Sequence, residues 1–535
     1  MSELTVKELL MSLISIPSDS GSSREAKLGE WIYEQISSHK YFRDHPEDCG
    51  KEYGSDWLHR PVVWAYKKGK SSRTVLIGGH YDTADLESYG RLLPYACDPV
   101  RLREELRKSD LRDKAVREDL ENEDWLFGRG TADMKSGLAV AMYTLFHEED
   151  PECGILFLAV CDKEKLSSGM RRAVFLLDRL KERYGLNIRL CLMGEAQFES
   201  SCRDKTFAIC AGGIGKILPL IITKGLPAYV ANPMEGLNAN LMMAKLVSNI
   251  EWNTGLITAD RGMVSQPPSI QMMKDFKVGY DATVPEYAAC CVNLLFYGAG
   301  REHDLIGKLK ESCRESMKDL RSCYVAAYRK CLELGAVSEE RQEFTIPVMD
   351  LKELETYTRS RRPDYEERRR ELNERMKARI IQNEDNIQKA GAHYIRELIR
   401  LSGIQRPLVV IGIMPPYYPC VTAYDQDINV FAVETIISDE LSGYGLSAVS
   451  YPYCPGITDI SYLSCMYPEE AEKTLQNITM PAEIYDIPFP VITGLNIPTY
   501  LVGPRARGLH LAAERVYLPD VETILPGIYH RLVNF

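Results

Sequence analysis

Short apolar segments that alternate with helical patterns restrict this chain to a small set of folds. Such segments, too short to span a membrane, read as strands buried on both faces. They cover residues 74–77, 155–160, 190–193 and 408–414. Apolar helical patterns at residues 137–146 and 170–180 predict helices between them. Strands that are connected by helices run in the same direction and form a parallel sheet covered by those helices. We therefore predict the α/β fold class with a mostly parallel sheet.

The middle of the chain follows another pattern. A predicted strand, a helix, two extended segments and a long helix succeed one another at residues 215–222, 237–250, 271–282, 288–297 and 305–327. This β-α-β-β-α order is typical of a compact α+β, ferredoxin-like domain. We therefore predict three segments, with 1–212 and 351–535 as the two halves of the parallel-sheet domain and 213–350 as the insert.

Two further stretches are rich in charged residues. Between residues 350 and 401 one apolar stripe predicts a single solvated helix, formed by Leu372, Met376, Ile380, Ile387, Tyr394 and Leu398. The stretch 89–123 alternates in charge, and two interpretations stay open for it. It covers a surface, or it shapes the entrance of a cleft.

Composition limits the partners and the compartment. The 535 residues include 65 basic and 76 acidic side chains, a net charge of −11, with no separate Lys/Arg block. Nucleic acid and an anionic membrane are therefore not expected as partners. The amino-terminal stretch is amphipathic and carries acids, unlike a signal peptide. Fifteen cysteines without a C-x-x-C pair indicate reduced thiols, so we predict a cytoplasmic protein.

Ionisable side chains follow the predicted strands at the point where each strand ends. His80 follows the first strand, Glu164 the second and Glu195 the third, and His510 follows an apolar segment near the end of the chain. Asp133 lies in a glycine-punctuated loop that enters a helix. Because the carboxyl ends of parallel strands meet at one edge of a sheet, we expect these side chains to lie close together.

Each of these residues also has a simpler interpretation. A lone histidine after a strand is commonly hydrogen-bonded rather than a ligand, Glu195 could cap a helix, and Asp133 could accept backbone hydrogens at a helix start. Together, however, two imidazoles and three carboxylates are ligands that zinc prefers. One carboxylate can bridge two ions, as in two-metal hydrolysis of amides and phosphates. Asp82 is expected to accept the other imidazole N–H of His80.

The motifs around these residues resemble a known family. They are H-x-D at residues 80–82, G-R-G-x-x-D-M-K-x-G at 128–137, D-x-E with S-x-G-M at 162–170, G-E at 194–195, N-P-M-E-G-L-N-A-N at 232–240 and a late G-P, H and E-R-V at 503–516. In this order they resemble the dinuclear-zinc metallopeptidases of peptidase family 20, which include aminoacylase, carboxypeptidase G and the acetylornithine and succinyl-diaminopimelate deacylases. Chain length and the segment 267–285 look like the RocB-type branch of arginine utilisation.

The resemblance implies two divalent metal ions and a lid. One ion would be held by His80, Asp133 and Glu195, and the other by Asp133, Glu164 and His510, with zinc expected first and manganese or cobalt acceptable. Substrate would bind between the parallel-sheet catalytic domain and the insert, which acts as a lid, carries Asn238 and joins two copies into a homodimer. The function implied is hydrolysis of an amide bond in a small acylated amino acid or peptide.

Two positions depart from the family pattern. Lys163 stands where most relatives carry a glutamate that acts as the general base, and Tyr229 stands where they usually carry a lid histidine. A lysine beside metal ions is expected to lose its proton or to swing away. A working enzyme would then use neutral Lys163, Asp162 or a water as its base. The alternatives are a metal-binding pseudoenzyme with a binding or regulatory role and a metal-free enzyme, which would make the five ligand matches coincidental. The complete ligand set favours the working enzyme.

Overall fold

The structure, a computed structural model, describes residues 4–197, 205–338, 344–382 and 384–535. The chain forms two compact units. The first unit comprises Met1–Ile214, Val421–Met466 and Ile487–Phe535, and the second comprises Gly215–Cys420 and Tyr467–Asp486. Residues 339–343 of the predicted insert lie outside the described residues.

The α-helices of the described residues are named in chain order. They are α1 (Val6–Ser15), α2 (Arg24–Ser38), α3 (Lys40–Asp44), α4 (Pro99–Arg107), α5 (Lys114–Leu120), α6 (Ser136–His147), α7 (Ser168–Tyr184), α8 (Ala239–Ile250), α9 (Glu302–Glu333), α10 (Leu351–Arg361), α11 (Tyr365–Ile381), α12 (Ile387–Ser402), α13 (Val430–Ser442), α14 (Pro468–Leu475), α15 (Phe489–Leu495) and α16 (Leu525–Val533).

The strands are named in the same way. They are β1 (Cys49–Glu52), β2 (Val62–Lys67), β3 (Arg73–His80), β4 (Trp125–Phe127), β5 (Gly154–Val160), β6 (Asn187–Met193), β7 (Thr206–Cys210), β8 (Gly212–Gly213), β9 (Gly215–Lys224), β10 (Ala259–Asp260), β11 (Met263–Val264), β12 (Ser269–Asp275), β13 (Tyr287–Phe296), β14 (Val348–Asp350), β15 (Leu408–Tyr418), β16 (Val421–Thr422), β17 (Ser447–Tyr451), β18 (Thr499–Leu501), β19 (Ala506–Arg507) and β20 (Arg515–Tyr517).

The first unit is built around an eight-stranded sheet in the order β1-β2-β5-β3-β6-β18-β7-β17. The central strands β5, β3, β6 and β18 are parallel to their neighbours in this run. Strand β5 is buried along its whole length because helices cover the sheet. This arrangement confirms the predicted α/β class with a mostly parallel sheet.

Local sequence signals set where several helices begin and end. Helix α1 begins with a capping box, in which the Thr5 hydroxyl accepts the backbone N–H of Glu8 and the Glu8 carboxylate accepts the backbone N–H of Thr5. Helix α7 ends at Gly185, whose φ of 63° is the left-handed conformation that glycine adopts without strain. Helix α6 is buried on nearly every side. It lies in the main apolar core together with α1 and α16.

The second unit has its own five-stranded sheet in the order β12-β13-β9-β15-β14. The predicted β-α-β-β-α order is present in the elements β9, α8, β12, β13 and α9. Strand β15 pairs antiparallel with β9, so the prediction that residues 408–414 belong to the parallel sheet is wrong. An apolar strand fits the interior of either sheet, and its period does not specify which one.

The position of β15 also changes the predicted domain boundaries. Residues 351–420 lie in the second unit and not in the second half of the first, and residues 467–486 join them. The charged stretch forms three helices, α10, α11 and α12, instead of one. Leu372, Met376 and Ile380 are buried on α11, whereas Tyr394 and Leu398 are buried on α12. The apolar stripe was therefore continuous in sequence but divided between two helices.

The stretch 89–123 packs within the first unit. Its helices α4 and α5 contribute Leu102, Leu106, Val116 and Leu120 to a small apolar cluster with Trp125 of β4. Within the described residues, each helix is too short or too polar to cross a membrane.

Candidate metal centre

His80 is the last residue of β3 and is fully buried. Its Nε2 lies 2.8 Å from Oδ1 of Asp133. Its Nδ1 lies 3.0 Å from the main-chain oxygen of Asp82 and 3.5 Å from the Asp82 carboxylate. His80 Nδ1 is therefore closer to the main-chain oxygen of Asp82 than to the Asp82 carboxylate, which was the predicted acceptor. The two Asp82 carboxylate oxygens accept the backbone N–H groups of Lys163 and Glu164, each at 3.1 Å.

Asp133 lies between the two histidines that the sequence singled out. Its Oδ1 faces His80, and its Oδ2 lies 3.1 Å from Nε2 of His510. It belongs to an irregular turn, residues 131–135, that leads into α6. A carboxylate whose two oxygens face two different imidazoles has the arrangement of a bridging ligand.

Glu164 and His510 complete the same cluster. Oε1 of Glu164 lies 3.3 Å from Nε2 of His510. Ligand atoms of His80, Asp133 and Glu164 all lie within 4.8 Å of one another. His510 has a φ of 63°, a left-handed conformation that is uncommon in a non-glycine residue.

Glu195 follows β6 and is partly buried. Burial raises the pKa of Glu195, while the charge of Lys163 lowers it and that of Asp133 raises it, so the carboxyl is near both groups. Within the described part of the chain its Oε1 has no hydrogen-bond partner. A buried carboxylate oxygen without a partner is costly unless something else binds it.

Glycines bring the Asp133 and Glu195 segments together. A Cβ atom at Gly137, just after the Asp133 turn, would lie 2.2 Å from the carbonyl oxygen of Gly194. A Cβ at Gly194 would lie 2.5 Å from Cα of Gly137. Two side-chain-free residues are thus required at this close backbone approach.

The charges in the cluster shift the pKa values of Asp133 and of the two histidines. Burial and Lys163 lower the pKa of His80, but hydrogen bonds to Asp133 and Asp82 prevail and raise it. Burial raises the pKa of Asp133, yet Lys163 and the two histidines hold it well below its usual range. Hydrogen bonds that His510 donates to Asp133 and then to Glu164 raise the pKa of His510 to about 10. Both histidines thus face a strongly anionic site.

Lys163 points into this cluster. Its Nζ lies 3.2 Å and 3.3 Å from the two oxygens of Asp133 and 3.4 Å from Oε1 of Glu164. The side chain is 7% exposed. The prediction that a lysine beside bound metal ions loses its proton or swings away concerns the ion-bound protein and stays a prediction.

The carboxylate of Asp162 is bound to groups outside the ligand cluster. Its Oδ1 accepts a hydrogen bond of 2.8 Å from the buried guanidinium of Arg60, which also pairs with Glu25 and Asp56. Its backbone N–H donates to Glu25 at 2.9 Å. Its Oδ2 accepts the backbone N–H of Ser168 at 3.3 Å, so both carboxylate oxygens of Asp162 are bound to groups outside the ligand cluster.

Two predicted residues lie in the second unit. Tyr229 is 61% exposed and forms an isolated bridge with Thr283. Asn238 caps the start of α8, where its Oδ1 accepts the backbone N–H of Asn240 at 2.8 Å. A capping role accounts for an asparagine at this position.

Residue-by-residue reasoning missed the groups that hold the cluster in place. Glu514 accepts the backbone N–H groups of Ala132 and Asp133 at 3.1 and 3.4 Å. Arg129 donates to the carbonyl oxygen of His510 at 3.1 Å. Arg129 lies in the G-R-G motif and Glu514 lies in the E-R-V motif, so the two motifs could have indicated both residues. Asp459, which is buried beside the cluster, carried no such signal.

Comparisons with known proteins place the chain. Protein RocB from Bacillus subtilis is 28% identical over 539 residues, which cover 97% of this chain and 93% of RocB. Succinyl-diaminopimelate desuccinylase from Bordetella pertussis is 27% identical over 202 residues, which cover 36% of this chain and 49% of that enzyme. No family model matches the sequence.

A solved M20 family metallo-carboxypeptidase from Sulfolobus solfataricus has a TM-score of 0.50 and 12% identity, over 100% of this chain and 99% of its own. A tripeptidase from Staphylococcus aureus has a TM-score of 0.53 and 11% identity, over 99% and 97%. The uncharacterized protein YqjN from Bacillus subtilis is 30% identical over 528 residues, covering 97% of this chain and 94% of YqjN. The chain belongs to the M20 metallopeptidase family. Within M20 it is close to RocB, which confirms the resemblance in the motifs.

The residues present fit the metal ions that M20 membership implies. The cluster supplies imidazole nitrogens and carboxylate oxygens, and the unpartnered Oε1 of Glu195 is an available donor. The one side chain that does not fit is Lys163, whose ammonium cannot act as a ligand.

Proposed function

We propose that this M20 chain is a metal-dependent hydrolase that cleaves an amide bond in a small acylated amino acid or peptide. One observation carries the proposal. Asp133 places its two carboxylate oxygens 2.8 Å and 3.1 Å from the imidazoles of His80 and His510. This is a bridging arrangement in a buried, anionic site, as two-metal amide hydrolysis requires.

The proposed ligands divide into two sets that share Asp133. His80 and Glu195 belong to one set, and Glu164 and His510 belong to the other. Bound divalent ions would polarise the scissile carbonyl and acidify a water molecule. The identity of the ion stays a proposal, with zinc first and manganese or cobalt as alternatives, because imidazole and carboxylate accept all three.

The chain's own residues orient these ligands. The Asp82 carboxylate fixes the turn of Lys163 and Glu164 through two backbone hydrogen bonds of 3.1 Å. Glu514 fixes the backbone of Asp133. Burial of His80 and Asp133 keeps bulk water away from that part of the cluster and strengthens its electrostatics.

Relatives supply support for the substrate class. The desuccinylase relative, by its name, removes a succinyl group from an acylated amino acid, which is amide hydrolysis on a small substrate. We extend that class to this chain. The second unit is proposed as the lid, with Tyr229 and Asn238 on the substrate side, and as the contact between two copies.

The competing function is a metal-binding pseudoenzyme with a regulatory role. The reason to consider it is that Lys163 stands in place of the usual general base. The intact ligand set argues for the enzyme, because loss of catalysis leaves nothing to preserve the ligand cluster.

A direct assay tests the proposal. The purified full chain is stripped with a chelator, reloaded with zinc, manganese or cobalt, and offered acetyl- and succinyl-amino acids and dipeptides. Release of free amine should vanish on stripping and return on reloading. Asp133→Ala should be inert, whereas the surface variant Asp110→Ala should match the natural protein. If ion-loaded protein releases no amine from any of these compounds, the pseudoenzyme replaces the hydrolase.

A further inference from the structure

The ammonium of Lys163 contacts the same carboxylates as one of the two histidines. Its Nζ lies 3.2 Å from Oδ2 of Asp133 and 3.4 Å from Oε1 of Glu164. Nε2 of His510 lies 3.1 Å and 3.3 Å from those two atoms. Lys163 is therefore placed where Asp133, Glu164 and His510 would together hold an ion.

The other ligand set shares Asp133 with Lys163 but does not include Glu164, which Lys163 also contacts. His80 uses Oδ1 of Asp133, at 2.8 Å, and Lys163 is 3.3 Å from that oxygen. Glu195 has a buried oxygen without a hydrogen-bond partner in the described part of the structure. An ion held by His80, Asp133 and Glu195 would satisfy that oxygen.

Charge balance points the same way. Asp133, Glu164 and Glu195 carry three formal negative charges, and Lys163 carries one positive charge. One divalent cation would bring the formal sum of these four groups to zero, whereas a second would bring it to plus two. Like charges in a buried, low-dielectric site repel strongly.

The main chain of Lys163 cannot easily withdraw. Its N–H and that of Glu164 are fixed by Asp82 at 3.1 Å. The preceding Asp162 is tied to Arg60 at 2.8 Å. The flexible part is the four-carbon side chain alone, so the lysine acts as a tethered cation.

We infer that Lys163 occupies the second ion position, so that one divalent ion binds tightly at His80, Asp133 and Glu195. A second ion enters only when the lysine side chain leaves Asp133 and Glu164. This inference rests on the proposed metal site, and it makes Lys163 the residue that sets how many ions the protein holds.

Ion counting tests the inference without an activity assay. Ion-stripped full-length proteins are titrated with zinc by calorimetry, desalted and measured by elemental analysis. The natural protein should retain one equivalent and bind a second about tenfold or more weakly. Lys163→Met, which keeps the length of the side chain without its charge, should retain two. Lys163→Arg keeps the charge and should behave as the natural protein does.

A second pair of variants locates the position. In the Lys163→Met background, His510→Ala should return the count from two to one, whereas the surface variant His530→Ala should leave it at two. Lys163→Gln replaces Lys163→Met if the latter fails to give a native circular dichroism spectrum.

The failures are distinguishable. Two tightly bound ions in the natural protein, or no gain in Lys163→Met and Lys163→Gln, would overturn the inference and leave the proposed function intact. No bound ion in any variant would remove both.

Discussion

Arg129 and Glu514 form a buried ion pair in which Nη1 and Oε2 are 2.6 Å apart. The second oxygen of Glu514 accepts the backbone N–H groups of Ala132 and Asp133. The second amino group of Arg129 donates to the carbonyl oxygen of His510. One pair of side chains therefore connects the segments that carry two of the proposed metal ligands, although the pair is more than 380 residues apart in sequence.

Breaking this pair should destabilise the protein. Glu514→Gln leaves the Arg129 guanidinium buried without its counter-charge, which typically costs about 3–5 kcal/mol of unfolding free energy. The measurement is chemical denaturation followed by circular dichroism. Glu522→Gln removes an exposed carboxylate 3.9 Å from Lys7 and should change stability by less than about 0.5 kcal/mol. Equal stability of the two variants would refute the structural role of the pair.

The proposed ligands should differ in their effect on bound ions. Asp133→Ala removes the shared carboxylate and should abolish tight binding altogether. His80→Ala should lose the tightly bound ion, and His510→Ala should keep it. Elemental analysis after desalting reads out all three. Full occupancy in the Asp133 variant would show that the ligand assignment is wrong, and His530→Ala serves as the surface control.

Replacing Lys163 by an acid should increase amide hydrolysis. Lys163→Glu removes the cation from Asp133 and Glu164 and supplies a proton acceptor beside them. General-base catalysis contributes on the order of 10²–10⁴-fold, so the rate of amine release should rise within that range. Lys163→Gln removes the charge without adding a base and should gain less. A rate below that of the natural protein would instead make Lys163 itself a participant in the reaction.

Asp459 should make stability depend on pH. Burial raises the pKa of this carboxyl from 3.8 to about 7. Below about pH 4 the group is protonated in both the folded and the unfolded protein. As the pH rises toward 7, only the unfolded form ionises, so the folded form loses stability by roughly 4 kcal/mol.

Asp459→Asn should remove this dependence. The free energy of unfolding of the variant should rise relative to that of the natural protein between pH 4 and pH 7. Above pH 7 the difference should stay constant. Thermal unfolding at a series of pH values measures the difference. Asp110→Asn, on the surface, should follow the natural protein. Parallel profiles for Asp459→Asn and the natural protein would contradict a raised pKa.

The edge of the second sheet should support the proposed dimer. Strand β12 is the end strand of that sheet and exposes Met273, and the neighbouring helix α8 exposes Leu241. Exposed edges with apolar side chains favour pairing with another chain. The natural protein should have the mass of a dimer by light scattering, and Leu241→Glu with Met273→Glu should halve it. Val264→Glu, on an equally exposed valine, should not. A monomeric natural protein would contradict the dimer.

Much of the fold was predictable from local pattern. Strands β3, β5 and β6 are short apolar runs, and the helices α6 and α7 were predicted from apolar helical patterns between them. Each ends in ionisable residues, and the rule that parallel strands share a carboxyl edge was enough to group His80, Glu164 and Glu195. The later division of residues 351–420 was not predictable, because an apolar strand such as β15 carries no mark of the sheet it joins.

The sequence by itself determined the type of donors available to a metal and the family in which they occur, since both depend on residue identity and order. The tertiary structure decided which of them meet and what lies between them. It directed Asp162 to Arg60 and Lys163 to Asp133, although the two residues are adjacent in the chain. Neighbouring side chains diverge according to the backbone conformation of their turn and the charges that surround them. Two of those charges, Arg60 and Asp133, lie far from this turn in the sequence, and only the folded chain brings them to it.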